Sequence, residues 1–290
     1  MGKPQSKRVV EAPARARMNA LNADRHVLYE ASVQSVEFEA DFLQKLYRKK
    51  RGRPFRILRE DFCGTAKLAC EWVRRNRENR SIGIDLHGPT LDWGLRNHVA
   101  RLGKAAERVI LLEENVLDVR EPKADVTIAF NYSYGVFKTR DVLRGYLRNV
   151  LGSLRRDGIF VLDAFGGTSA TEEGEESRRI AGHVGPDGQE IPSFTYIWDQ
   201  KHFNPVNSNI VCKIHFRFPD RSQIRNAFSY DWRYWTLPEL QELMLEAGFR
   251  SVEVYFDGWD DKKNEADGNF RRATDLDEMA GWVAYVVGLK

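Results

Sequence analysis

Arg56-Ile57-Leu58-Arg59-Glu60-Asp61-Phe62-Cys63-Gly64-Thr65-Ala66 decides how the rest of the chain reads. An apolar entry (Phe55, Ile57, Leu58) passes into two carboxylates, Glu60 and Asp61. Cys63 to Ala66 then supplies small residues that let the backbone turn tightly. Lys67-Leu68-Ala69-Cys70-Glu71-Trp72-Val73 follows, with apolar residues at helical spacing. Strand, acidic tight turn and helix is the opening of a nucleotide-type α/β unit, in which backbone N–H groups and a helix N-terminus face a ligand.

Upstream of this stretch, the segment from about Asp24 to Lys50 reads as helix. Leu28, Val33, Phe38, Phe42, Leu43, Leu46 and Tyr47 roughly keep the helical period, with a break near Ser35. The basic run from Arg48 to Arg53 and then Pro54 ends it. Tyr29 and Gln34 lie on this segment, placed either to cap the core or to approach a ligand. The first 18 residues are rich in Lys, Arg, Ala and Pro and lack the apolar stretch of a secretory signal. They read as a disordered basic tail, or alternatively as a nuclear or nucleic-acid-binding one.

Downstream, short apolar runs ending in polar residues alternate with helical patterns. Ser81 to Leu86 is a second strand, ending at Asp85, about 25 residues after Glu60; that is near the spacing of an acid that grips a ribose. Asp85 also fits the N-cap of the helix from about Thr90 to Arg101. Arg108 to Leu112 is a third strand, leading to Asn115 and Val116. Ala124 to Phe130 is a fourth, ending in Asn131-Tyr132-Ser133-Tyr134. Val142 to Leu154 is a helix, stopped by Arg155-Arg156-Asp157-Gly158, and Ile159 to Ala164 is a fifth strand. Such alternation implies a doubly wound, mostly parallel sheet whose ligands lie at the carboxyl ends of the strands, where Glu60, Asp85, Asn115 and Asn131 all fall.

The pattern changes after Phe165. A polar loop through Glu172 to Glu176 precedes aromatic and β-branched segments at 193–198, 209–218 and 223–235, in which Ile210, Cys212, Ile214, Phe216 and Phe218 alternate with other residues. Pro219-Asp220-Arg221-Ser222 reads as a hairpin turn. Thr236-Leu237-Pro238-Glu239 starts another helix, closed by Ala247-Gly248, and two further strands follow (249–256 and 282–287). The chain therefore divides into a basic tail (1–23), an N-terminal helical cap (24–54), an α/β core (55–165), an antiparallel excursion (166–235) and a segment completing the core sheet (236–290).

Composition narrows the function. A net charge of +3, from 45 basic and 42 acidic residues, argues against a dedicated nucleic-acid binder. Three cysteines without a Cys-x-x-Cys pair argue against zinc or disulfides and fit buried thiols of a cytoplasmic protein. No apolar run approaches the roughly 18 residues of a membrane span.

With these elements in order, the chain resembles the class I S-adenosylmethionine-dependent methyltransferases. Their first motif is acid-x-Gly-x-Gly-x-Gly; here Glu60 to Ala66 stands in its place, with Gly64 as the central glycine and Phe62 and Ala66 in place of the outer two. The resemblance implies a seven-stranded Rossmann-like methyltransferase sheet, its seventh strand antiparallel beside the fifth, with the excursion as substrate cap. It implies S-adenosylmethionine as cofactor and Glu60 near its methionine and ribose. It places Asp85 at the ribose hydroxyls, Leu86 on the adenine, and Asn115 with Val116 at the adenine edge. Asn131 then lines the methyl-transfer site, and Tyr29, Arg59, Gly64 and Thr65 complete the cofactor contacts. Glu60, Asp85 and Asn131 each also read as local turn or cap residues, and Cys63 as a buried filler.

The function so implied is methyl transfer to an N or O atom of a small molecule by in-line displacement. Tyr134 and His202 are the candidate catalytic groups, and the aromatics Tyr132, Tyr196, Trp198, Tyr230, Trp232 and Trp235 are either pocket wall or core. Alternatives are a methyltransferase for RNA or protein, using the tail and Arg74, Arg75, Arg77 and Arg80, or a nucleotide-binding module without catalysis. A nicotinamide-dependent dehydrogenase lacks support, since Gly-x-Gly-x-x-Gly is missing. No membrane partner and no metal are expected.

Overall fold

The computed structural model describes residues 18–185, 188–260, 265–266 and 269–290, so most of the expected basic tail lies outside the described residues. The N-terminal helical segment is two helices, α1 (Arg25–Val33) and α2 (Val36–Arg51), parted at Gln34 and Ser35. Asp24 caps α1 by accepting the His26 N–H, and Gly52, in the left-handed region, ends α2.

β1 (Ile57–Asp61) carries both Glu60 and Asp61 inside the strand, three residues beyond the expected end. A strand can bury Asp61 because Arg59 Nε and the Tyr146 hydroxyl both donate to it, at 2.6 and 2.8 Å. Next come α3 (Lys67–Arg75), β2 (Arg80–Asp85), α4 (Gly88–Asn97), a 3₁₀ segment (Val99–Arg108), β3 (Val109–Glu113), β4 (Ala124–Ala129) and α5 (Arg140–Ser153).

β5 (Leu154–Gly166) starts five residues before the expected strand. Arg155-Arg156-Asp157-Gly158 is therefore strand rather than helix stop. Leu154 pairs with Ala124, and Arg155 reaches the buried Asp125 carboxylate at 3.5 Å.

β6 (Gly174–Ile180) occupies part of the expected polar loop, because it finds an edge partner. The two-residue strands β7 (His183–Val184) and β8 (Glu190–Ile191) pair with each other. β9 (Phe194–Asn204), β10 (Asn209–Arg217) and β11 (Gln223–Arg233) are long and antiparallel, and form a four-stranded sheet in the order β11-β10-β9-β6. Ile210, Cys212, Ile214 and Phe216 are all buried, as their alternation requires, and the turn at Pro219 to Ser222 closes with the Phe218 N–H on the Ser222 carbonyl. α6 (Leu237–Ala247) opens with a complete Thr236/Glu239 capping box. β12 (Ser251–Phe256), the two-residue strands β13 (Trp259–Asp260) and β14 (Glu265–Ala266), β15 (Arg271–Ala273) and β16 (Trp282–Leu289) end the chain.

The main sheet runs β15-β12-β16-β5-β4-β1-β2-β3. β1 through β5 are parallel to one another, while β16 lies antiparallel between β5 and β12. The short β15 adds an eighth strand at the edge beyond the seven expected. One face is covered by α5 and α6, with Tyr146, Leu147, Leu243 and Met244 in its core. The other is covered by α2 and α3, where Phe42 stacks on Tyr285 and Phe55 on Trp72. Burying such a side chain contributes about 1.5–3 kcal/mol. The antiparallel sheet packs its inner face on α1 through Leu28, Phe194, Ile214 and Phe216, and meets the ends of β4 and β5 at Tyr132 and Phe165. Among the described residues no helix is long and apolar enough to cross a membrane.

Candidate cofactor and acceptor site

The turn after β1 has a regular backbone. Phe62, Gly64 and Ala66 have φ of 60°, 53° and 56°, so every second residue is left-handed. Left-handed backbone costs an L-residue roughly 1–2 kcal/mol, which is why glycine is expected at all three positions. The two departures are supported by packing. The Phe62 ring is held among Phe137 and Tyr146, each 5.9 Å away, under α5; Ala66 is fully buried at the start of α3. Gly64 is the open position: a Cβ there would meet nothing nearer than Thr90 Cγ2 at 3.9 Å.

Asp85, at the end of β2, binds this turn. Its Oδ2 accepts the Gly64 N–H at 2.8 Å and its Oδ1 accepts the His87 N–H at 2.8 Å. Both oxygens keep acceptor capacity toward the outside. α4 is pressed against the turn at Gly94, where a Cβ would lie 2.3 Å from the Thr65 carbonyl oxygen. Gly83 makes room for Cys63 Sγ, and the Cys63 thiol, buried among carboxylates, is pushed well above its usual pKa: it is a filler.

Other sequence candidates fall around this turn. Glu60 is 7 % exposed, faces α3, and accepts the Ala69 N–H at 3.1 Å; burial with Glu39 nearby holds its pKa well above the usual range. Leu86 is 66 % exposed just past Asp85. Asn115 folds back on the Leu117 N–H, while Val116 is buried and its carbonyl accepts from Asn149. Asn131 and Tyr132 are consecutive left-handed residues at the end of β4. Their N–H groups donate to Asp163 Oδ2 and Oδ1, at 2.8 and 2.9 Å.

Arg59 lies elsewhere. Strand alternation turns it to the opposite face from Glu60, fully buried, on Asp61 and the Val119 carbonyl. Neither expected catalytic group meets the site. Tyr134 is 4 % exposed in the apolar core under α5 and α6. His202 is exposed on the excursion's outer side, with Nδ1 2.8 Å from Glu173. Plain alternation from Tyr196, Trp198 and Gln200 would bring His202 inside. However, Gln200 pairs with Cys212 and His202 with Val211, so Lys201 is an extra residue that reverses the facing.

Four residues that the sequence did not single out complete the site. Glu30 of α1, 7 % exposed, accepts the Thr65 hydroxyl at 2.6 Å and lies 2.6 Å from His98 Nε2, with Lys67 Nζ at 3.7 Å. Trp93 Nε1 donates to Asp24 at 2.6 Å. These bonds fasten α1 over the turn. Asp163 at the end of β5 and Glu39 in the first turns of α2 are the other two. Burial raises both to about 7; the Asn131 and Tyr132 N–H groups oppose the shift on Asp163, and the Asp163 charge adds to that on Glu39.

Tyr29, Glu39, Tyr132, Asp163, Tyr196 and Tyr230 share one property. Each is only partly exposed, and the side-chain clusters of Tyr29, Tyr132, Tyr196 and Tyr230 gather where α1, the ends of β4 and β5 and the antiparallel sheet meet. This junction is the candidate cleft. Tyr29 and Tyr230 share one side-chain cluster there. Tyr230 stacks on Trp232 at 4.3 Å, and Tyr132 meets Phe165 at 4.8 Å. A wider cavity of about 620 Å³ along α6 and β12, lined by Leu237, Gln241, Phe256 and Trp282 among others, shares no residue with this cleft.

No family model and no curated protein sequence matches the chain. Solved structures do. An S-adenosylmethionine-dependent methyltransferase from Clostridium acetobutylicum superposes with a TM-score of 0.64 at 13% identity, covering 91% of this chain and 97% of the other. The chain has the class I methyltransferase fold. CalS10, an amino pentose methyltransferase from Micromonospora echinaspora involved in calicheamicin biosynthesis, gives 0.63 at 12% identity, over 91% of this chain and 95% of that one. DesVI of Streptomyces venezuelae gives 0.63 at 17%, with the same coverage. In this methyltransferase fold the turn after β1, Asp85 and the Asn131 corner stand at neighbouring strand ends, and the antiparallel sheet stands over them.

Proposed function

We propose that the chain is an S-adenosylmethionine-dependent methyltransferase acting on an N or O atom of a small molecule by in-line displacement. The observation that carries this reading is the turn itself. It keeps left-handed backbone at Phe62, Gly64 and Ala66, although two of the three are not glycine, and Gly64 is bonded to Asp85. A backbone held in this shape against that cost points to a use beyond connecting β1 to α3.

The residues fit the cofactor. Gly64 leaves its backbone open, and Asp85 keeps lone pairs outward for two ribose hydroxyls. Leu86 offers apolar surface to the adenine, Asn115 and Val116 border its edge, and Glu60 and Thr65 stand toward the methionine end, with Tyr29 and Asn131 beyond them. S-adenosylmethionine supplies an electrophilic methyl group on a sulfonium. The chain's part is to exclude water and to hold an acceptor at about 3–3.5 Å on the displacement axis. The cleft roofed by the excursion, with α1 fastened by Glu30, suits an acceptor of small size.

A thermal-shift comparison tests this. Adenosylhomocysteine at about a hundred times its Kd adds roughly 2.7 kcal/mol of stability, and NAD adds none. Stabilisation by NAD alone would contradict the reading.

A further inference from the structure

A smaller cavity, of about 100 Å³, lies beside the bonds that fasten α1, and none of its lining residues is a cofactor candidate. Four parts of the chain meet around it: α1, α3, the junction of α4 with the 3₁₀ segment, and the β7–β8 pair. Its charged and titratable lining is Glu30, Lys67, His98, Arg101 and His183. Glu30 is the one carboxylate among the described lining residues, and it is already engaged. Its Oε1 accepts the Thr65 hydroxyl and lies 2.6 Å from His98 Nε2.

The cationic side chains are less committed. Lys67 Nζ lies 3.7 Å from Glu30 Oε2, beyond hydrogen-bond distance, so its N–H donors stay open. The Arg101 side chain makes no hydrogen bond or ion pair with a described residue, and its guanidinium is always charged. His98 is only 8 % exposed; with Nε2 on Glu30, its Nδ1 has no partner among the described residues. His183 places Nδ1 3.3 Å from the Ala181 carbonyl oxygen, which leaves Nε2 for a ligand. One carboxylate thus stands against Lys67, Arg101 and two imidazoles, and the cavity is a setting for negative charge. Its size limits the ligand. Drug-sized molecules need pockets of roughly 300 Å³ or more, so a nucleotide does not fit inside, whereas a tetrahedral oxyanion does.

We propose that this cavity is a phosphate site, with Lys67 and Arg101 as its charged donors and His98 and His183 beside them. A phosphate held there joins α3 and the 3₁₀ segment of the core to β7 of the excursion. The site is separate from the cofactor turn, and the proposal does not depend on the methyl acceptor.

Titration calorimetry of the full chain with inorganic phosphate tests this, at an ionic strength held constant with chloride. Phosphate should bind, and Lys67→Gln and Arg101→Gln should each weaken it about tenfold, the loss of one charge-assisted hydrogen bond. Arg101→Gln should leave adenosylhomocysteine affinity within twofold of the parent. Phosphate should also slow amide hydrogen exchange in β7 and β8 of the parent but not of that variant. Methyl phosphate separates two sources of the ligand: tighter binding than inorganic phosphate assigns the phosphoryl group of a small metabolite, weaker binding the free ion, and either order supports the site. No binding beyond that of chloride, or phosphate binding undiminished when Lys67→Gln and Arg101→Gln are combined, would overturn the proposal and leave the cofactor reading intact. Competition between phosphate and adenosylhomocysteine would place the ion in the cofactor site and overturn it as well.

Discussion

Gly64 donates its backbone N–H to Asp85 Oδ2 at 2.8 Å, so the turn after the first strand and the acid closing the second are one structural unit. The turn's shape is thus fixed from β2 as well as from its own residues.

That unit tolerates substitutions differently at its three left-handed positions. Ala66→Gly relieves roughly 1–2 kcal/mol of backbone cost but removes a fully buried methyl worth about 0.8 kcal/mol and adds unfolded-state entropy. Its stability should stay within about 1 kcal/mol of the parent by urea unfolding. Phe62→Gly relieves the same strain but gives up the ring packed on Phe137 and Tyr146, and should cost about 2 kcal/mol. Equal and small effects at both positions would show that the Phe62 packing does not support the turn.

The α1 clasp gives a second expectation. Glu30→Ala leaves the Thr65 hydroxyl and His98 without their carboxylate and should destabilise the protein by about 1–3 kcal/mol. It should also speed amide hydrogen exchange in α1 more than in α5. A uniform rise across both helices would assign Glu30 to global stability alone.

The cleft carboxyls set a pH dependence of stability. Glu39, Glu60 and Asp163 bind protons more tightly folded than unfolded, because burial raises their pKa values. Their stabilising contribution is therefore present in the ordinary carboxylate range and is lost as pH rises toward and through about 7, since the folded state holds the extra protons there. The Tm should fall between pH 5 and 8, and Glu39→Gln should flatten that fall. An identical profile in the variant would show that Glu39 ionises freely.

His202, outside the cleft, supplies a negative expectation. His202→Ala should leave adenosylhomocysteine affinity within twofold of the parent. A tenfold loss would show that the excursion repacks to bring this residue inside.

Much of this arrangement could be read from the residues. Short apolar runs that end in Asp85 and Asn131 mark parallel strands buried on both faces, and their carboxyl ends follow from the topology. Asp163 was hidden because it sits within an unbroken strand, and takes its role only from the left-handed corner at Asn131 and Tyr132. Glu39 is one of several acids on an amphipathic helix, and nothing local separates it from Glu37. His202 was misplaced by a single extra strand residue, Lys201, which a period-two pattern cannot show. Arg59 and Glu60 are adjacent in sequence but face opposite sides of β1, so only one of them borders the turn.

The most direct test of the account is the affinity for adenosylhomocysteine, measured by titration calorimetry on the parent chain and on Asp85→Ala. On the proposed placement of the ribose hydroxyls at Asp85, the variant should bind about 10–100-fold more weakly at a temperature where both remain folded. Equal affinity in the two proteins, or no binding by the parent, would contradict it.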